Sequence, residues 1–382
     1  MTNPVRPQAT PTRQQFLRRA AGAAAAAIAA PLWLPGCAQG AESADYLAAV
    51  KAIWHPASLP RGSALADRMA LVHHATLAPS SHNTQCWRFL IERDAVHILP
   101  DFARRCPAVD PDDHHLFVSL GCAAENLVQA GRAIGLEGEP RVEASGRISI
   151  PLAPTRPRAS PLFEVIAERQ NTRTDFDGKP LSAAELRQLT YAALTPDVPG
   201  VRLLLLTDRP AMEKVLALVL QGNDVQMADP DFLRELKTWL RFNSADAVRS
   251  GDGLYSATSG TPSLPRWLGE IMFDHAFSAA REDDKYAGQV RSSAGLAVFM
   301  SEVQEPASWV AAGRSYQRFA LQATALGIRH ALLNQAVEVP AVRAELVGLL
   351  GSGAWRPDMV VRFGRGSRMP QSLRRPVGSV LR

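Results

Sequence analysis

One helical segment occurs twice in this chain. Gly121-Cys-Ala-Ala-Glu-Asn-Leu-Val-Gln-Ala-Gly-Arg-Ala-Ile-Gly-Leu136 returns as Gly313-Arg-Ser-Tyr-Gln-Arg-Phe-Ala-Leu-Gln-Ala-Thr-Ala-Leu-Gly-Ile328. Both copies begin with glycine and close on alanine, an aliphatic residue, glycine and another aliphatic residue. In the first, Ala123, Asn126, Leu127 and Ala130 fall at i, i+3, i+4 and i+7, the spacing of one helix face, and that face is small enough for close packing. The flanks repeat too, since helix-forming segments precede each copy and a strand-like run follows it. The pattern predicts two tandem lobes, each holding one copy of the helix.

The Pro-rich stretch 151–161 reads as an extended connector, separating a first lobe at 45–155 from a second at 160–382. After a strand at Leu203–Thr207 the second lobe carries an insertion at about 209–290, with helical stretches at Ala211–Val225 and Asp231–Phe242. Gly251-Asp-Gly253 and Ser259-Gly-Thr-Pro262 break it into turns. Such an insertion can cover a pocket as a lid, or serve as a packing layer.

The first residues read as an export signal, residues 1–37. Arg6, Arg13, Arg18 and Arg19 precede an Ala-rich apolar run, Ala20 to Leu34, too short to span a membrane. Thr12-Arg13-Gln14-Gln15-Phe16-Leu17-Arg18 resembles the twin-arginine consensus with Gln14 in place of the second arginine, and general secretion is the other route. Leu34-Pro35-Gly36-Cys37 resembles a lipobox, which would make Cys37 a lipidated N-terminus; ordinary cleavage near Ala38–Gly40 would discard it. Either route predicts a protein in the periplasm or at an extracytoplasmic membrane surface. Losing four arginines lowers the formal net charge of +5 to about +1, which removes the electrostatic case for nucleic acid. Beyond Cys37 only Cys86, Cys106 and Cys122 remain, giving neither a disulfide framework nor a zinc spacing.

Ala78-Pro-Ser-Ser-His-Asn-Thr-Gln-Cys-Trp-Arg-Phe89 places short polar side chains around a turn before an apolar strand. It resembles the Pro-Ser-x-x-Asn-x-Gln-Pro-Trp-x-Phe signature of the nitroreductase family, with Cys86 where that family has proline. The likeness implies FMN as cofactor and Pro79, Ser80, Ser81, Asn83 and Gln85 at the flavin ring. Arg169-Gln-Asn-Thr172-Arg173 resembles the family's Arg-x-Ser-x-Arg, implying that Arg169, Thr172 and Arg173 hold the phosphate; a guanidinium fork matches phosphate oxygens. Arg374-Arg375-Pro376 resembles a late basic-proline motif that reaches the same phosphate. The family fixes flavin N5 with a backbone N–H in a loop where Leu333 and Asn334 are the nearest matches, although the glycine expected there is absent.

Each lobe keeps one half of that site. The first has Pro79–Trp87 but no paired arginines, and the second has Arg169 and Arg173 but only Thr195–Val201 in place of the signature. This resembles the fused, Acg-like branch of the family over roughly residues 65 to 380, and implies an α+β, nitroreductase-like fold: two tandem lobes related by a pseudo-twofold axis, each a mainly antiparallel sheet wrapped by helices, forming a monomeric pseudo-dimer with one FMN site. The implied function is oxidoreduction through the flavin between a small-molecule donor and a small organic acceptor, nitro- or quinone-like. The alternative is a non-catalytic protein that sequesters FMN under a lid. Asp110-Pro-Asp-Asp-His114-His115 resembles metal ligands in type, but adjacent histidines on a helix or strand are expected to point apart, so no metal is assigned. No Gly-x-Ser-x-Gly elbow supports a hydrolase, and no catalytic acid or nucleophile is assigned.

Overall fold

The computed structural model describes residues 42–55 and 63–382; the segment 1–37 expected to be an export signal, with Cys37, lies outside them. In the first lobe, α1 (Ala64–Thr76) is followed by β1 (Trp87–Ile91), β2 (Ala95–Pro100), α2 (His114–Ile134), β3 (Arg141–Val142) and β4 (Ile148–Pro151). In the second, α3 (Ala183–Ala193) leads to β5 (Val201–Leu206). Then come α4 (Arg209–Ala228), α5 (Pro230–Trp239), α6 (Ala279–Arg291), β6 (Gly295–Ser301), α7 (Pro306–Ala325), β7 (Arg329–Leu332) and β8 (Arg356–Gly364).

The two sheets have one topology. Their orders are β1-β2-β4-β3 and β5-β6-β8-β7, antiparallel throughout. In both, two strands precede the repeated helix, two follow it, and the last strand inserts between the second and third. β1 and β2 form a tight hairpin with Trp87 opposite Pro100, whereas the insertion separates β5 from β6.

The repeated helices α2 and α7 cross at the centre. A methyl group added at Gly121 would run into the carbonyl of Val310, and one added at Gly313 into the carbonyl of Val118. Each glycine meets the residue three before the other, so the contact is reciprocal. Local chemistry ends both helices the same way: Gly135 and Gly327 take left-handed backbone at φ 82 and 68, the usual stop that satisfies the last carbonyls. At its start α2 is capped by Asp110, whose carboxylate accepts from His115 N and Leu116 N, both at 2.9 Å. α7 begins with Pro306, preset for the first helical position.

Polar pairs fix the register of the crossing. Glu125, wholly buried, accepts from Arg314 Nε at 3.1 Å and Arg318 Nη1 at 2.9 Å, and Gln317 donates to Asn126 at 2.7 Å. One apolar core then spans both lobes, joining Leu71, Trp87, Phe89 and Leu120 to Phe299, Tyr316, Phe319 and Phe363. A second core lies on the other face of the second sheet, where Leu296 and Val298 meet Met212, Val215 and Val219 of α4 and Val290 of α6. Those two insertion helices are therefore a packing layer. The connector after β4 is exposed and extended until Ser160 caps the next helix. Cys86, Cys106 and Cys122 are free thiols, and no described helix is long and apolar enough to cross a membrane.

Gly313→Ala should destabilise the protein by roughly 2–3 kcal/mol, the upper part of the range for overpacking. Gly348→Ala, in a helix with open space around the site, should stabilise by about 0.5–1 kcal/mol. Urea midpoints of the two variants check this; equal midpoints would mean that the crossing is loose.

Candidate functional site

The Pro79–Gln85 loop leaves the C-terminal end of α1 through an unusual backbone. His82, Asn83 and Gln85 all take positive φ, at 46, 52 and 54, a region costly for residues with a Cβ. Side chains hold it there. Asn83 Nδ2 donates to Gly253 O at 3.0 Å and Leu373 O at 3.2 Å, while its Oδ1 accepts from Arg374 at 2.9 Å. Gln85 donates to Gly251 O at 2.8 Å and accepts from Arg375 N at 2.8 Å. Ser80 Oγ accepts from Gln85 N at 2.9 Å, and Ser81 N donates to Ser119 Oγ at 3.3 Å. Asn83 and Gln85 thus tie the loop to the insertion and the C-terminal tail, and their amide groups are engaged with protein. Pro79 is buried; Ser80 and Ser81 are partly exposed.

The second-lobe arginines face this loop. Arg169 Nη2 donates to Leu77 O at 3.4 Å, and its Nε and Nη1 are buried with no partner. The guanidinium of Arg173 makes no hydrogen bond among the described residues, and it lies close enough to His82 to disfavour a charge on that imidazole. Burial lowers the pKa of both arginines, and the groups that oppose the shift are Tyr316 and Cys122 beside Arg169 and Tyr286 and Tyr316 beside Arg173. No carboxylate is among them.

The remaining expected residues fall into two groups. Arg374 is buried and spends its donors on Thr76 O, Leu77 O, Ala78 O, Ser372 O, Leu373 O and Asn83. It clamps the exposed carbonyls of α1, a favourable seat for a cation, and shares Leu77 O with Arg169. Burial, then Arg169, lowers its pKa to about 9, which leaves it charged at neutral pH. Arg375 lies on the other side of the loop, donating to Gln85 O at 2.6 Å and Trp87 O at 3.4 Å. The Thr172 hydroxyl donates to Gln170 at 3.2 Å. Leu333 gives its N–H to Val360 O at 2.8 Å as the sheet continues, whereas the N–H of Asn334 has no acceptor among the described residues. Asn334 Nδ2 lies 3.3 Å from His115 Nε2.

Sequence reasoning missed Arg362. It donates to Thr172 O, Thr174 O and Gln289 O and stacks on Phe176 at 4.1 Å, bracing the Arg169–Arg173 segment from behind. A lone arginine within a strand gives no pattern by which to find it. Sequence reasoning also expected His114 and His115 to diverge. Both are buried, their rings are 4.6 Å apart, and ligand atoms of Asp110, His114 and His115 lie within 4.8 Å of one another. His114 is bonded to Asp358 at 2.9 Å, and Arg343 and Arg356 line the adjoining cavity of about 240 Å³.

Two groups of known proteins resemble this chain. "Putative NAD(P)H nitroreductase Rv3131" of Mycobacterium tuberculosis (strain ATCC 25618 / H37Rv) is 24% identical over 326 residues, 80% of this chain and 88% of that protein. "Putative NAD(P)H nitroreductase acg" of the same strain is 24% identical over 329 residues, 81% and 93% respectively. The sequence of this chain is thus similar, over about four fifths of its length, to mycobacterial proteins named as nitroreductases. No family model matches it. Among solved structures, a nitroreductase with bound FMN from Desulfitobacterium hafniense DCB-2 covers 56% of this chain and 94% of its own at 17% identity and a TM-score of 0.36. The nitroreductase NfnB from Mycobacterium smegmatis, in complex with NADPH, covers 58% and 97% at 11% identity and a TM-score of 0.38.

His330 lies beside Arg169, and burial, then Arg169, pushes its pKa down to about 3. A base whose folded pKa is depressed loses stability as pH falls from its ordinary value, about 6.5, through the lowered one, because the unfolded chain takes up the proton that the fold excludes. Between pH 6.5 and 4.5, His330→Gln should therefore gain about 2–3 kcal/mol on the parent chain. Urea unfolding of both proteins at the two pH values checks this. A constant difference would mean that His330 is protonated in the fold.

Proposed function

We propose that this protein is an FMN-binding oxidoreductase of the nitroreductase type. It passes hydride or electrons from a small-molecule donor of the NAD(P)H kind to a small organic acceptor, nitro- or quinone-like. The observation that carries this reading is the pair Arg169 and Arg173. Two cationic groups with free donors and no carboxylate partner face the signature loop, and a bound anion is what such a pair requires. The names of the mycobacterial relatives support the same reading.

FMN, when bound, supplies the redox chemistry itself. The chain would bind and orient it. Arg169 and Arg173 would hold the phosphate, with Arg374 supporting Arg169 through the shared Leu77 carbonyl. The Pro79–Gln85 loop, stiffened by Asn83 and Gln85, would form the wall against the ring. Asn334 is the better placed of the two N5 donors because its N–H is free of the sheet. One chain supplies both halves, so the unit is a monomer. The export signal, and lipidation at Cys37, would place it outside the cytoplasm. The sequestering alternative rests on the 251–253 segment of the insertion, which is bonded directly to the loop.

Flavin fluorescence titration tests the site. Arg169→Ala and Arg173→Ala should each weaken FMN binding about ten- to a hundredfold, the loss of a hydrogen bond to a charged group. Ser81→Ala should cost about fivefold, a neutral bond at most. Equal losses in all three variants would place the phosphate elsewhere. Anaerobic NADPH should bleach the bound flavin; a flavin that stays oxidised would select the sequestering reading.

A further inference from the structure

We propose a zinc site formed by His82, Cys106 and Glu235. The three side chains come from different parts of the chain: the left-handed turn of the signature loop, the segment after β2, and α5 of the insertion. Their ligand atoms all lie within 4.8 Å of one another, and Cys106 Sγ is 3.5 Å from His82 Nδ1. Around a tetrahedral zinc, ligand atoms sit on the order of 3.2–3.8 Å apart, so closure needs shifts of roughly 1 Å in the widest pair.

The donor set selects the ion. Thiolate with imidazole and carboxylate suits zinc better than the hard cations that prefer oxygen alone. Three protein ligands leave a fourth position for water, the open arrangement. The carboxylate is already oriented, since Glu235 accepts from Ala108 N at 2.9 Å and Val109 N at 3.3 Å, an outer shell of the kind that tunes metal ligands. Arg173 faces His82, while Asp110 and Glu338 face Cys106 and Arg105 faces Glu235. Cys106 binds as the thiolate, so one S–H bond breaks, one Zn–S bond forms and the proton goes to solvent. The nearby Asp110–His114–His115 cluster is already engaged, His114 by Asp358 and the Asp110 carboxylate by the N–H groups of His115 and Leu116.

A metal here would pin α5 to the signature loop, linking the insertion to the wall of the proposed flavin site. The site stands on its own geometry, whether or not flavin binds. Cobalt(II) added to the EDTA-treated full chain, read as a difference spectrum against the metal-free sample, tests it. One equivalent should produce a thiolate-to-cobalt charge-transfer band that one equivalent of zinc(II) removes. Cys106→Ser should abolish the band, and Cys37→Ser should keep it. Glu235→Gln, on a partly exposed helix and checked for folding by far-UV circular dichroism, should weaken cobalt binding at least tenfold. No band in the parent chain, a band that survives Cys106→Ser, or unchanged affinity in Glu235→Gln would each overturn the site.

Discussion

The reciprocal contact of Gly121 and Gly313 is the constraint from which the rest of the molecule follows. Two helix backbones can approach this closely only where neither carries a Cβ, and here each glycine sits on a carbonyl of the other helix. That approach sets the separation of the lobes. Buried charge sets the register, because Glu125 binds both Arg314 and Arg318, and losing both partners would leave it a desolvated charge. With separation and register fixed, the start of the second lobe is carried to the end of α1, and Arg169 reaches Leu77.

What was legible in the sequence is what local chemistry determines. The paired glycines, the helix stops and the strand-like flanks are short-range signals, and they predict the duplicated plan that the two sheets display. Boundaries were legible to within a few residues: the strand expected at Leu203–Thr207 runs Val201–Leu206, and the helix expected at Asp231–Phe242 runs Pro230–Trp239. The partners of the signature loop were not. Asn83 and Gln85 bond to Gly253, Gly251, Leu373 and Arg375, residues far along the chain that no spacing rule connects. Nor could spacing separate Arg374, spent on the carbonyls of α1, from Arg169, which keeps free donors. The difference lies in which carbonyls the tail happens to meet.

The loop itself shows why so much distant chain converges on it. Three non-glycine residues in left-handed backbone each cost of order 1–3 kcal/mol, and such a conformation persists only when its surroundings over-determine it. The surroundings here are the C-terminal tail and the insertion. The tail crosses back to the first lobe, ending with Arg382 N on Phe89 O at 2.9 Å beside β1. On its way it delivers Arg374 and Arg375 to opposite sides of the loop. The insertion delivers Gly251 and Gly253, where left-handed glycines let their carbonyls come close. The sheet-covering helices of the insertion and its loop-contacting segment therefore do different jobs.

The distribution of charge completes the argument. Four other buried or half-buried cations have most of their donors engaged: Arg314 and Arg318 by Glu125, Arg374 by a cage of carbonyls, Arg362 by three carbonyls and an aromatic face. Arg362 leaves only its Nε without a partner, whereas Arg169 leaves two nitrogens unpartnered and Arg173 makes no side-chain hydrogen bond among the described residues, and both face the strained loop. Desolvating a guanidinium without partners is costly, and Arg374 beside Arg169 adds repulsion that no nearby carboxylate relieves. Under the proposed reading, an anion bound at Arg169 and Arg173 would relieve that cost. The ring-like remainder of such a ligand would then meet a wall that the glycine crossing, the tail and the insertion together hold rigid.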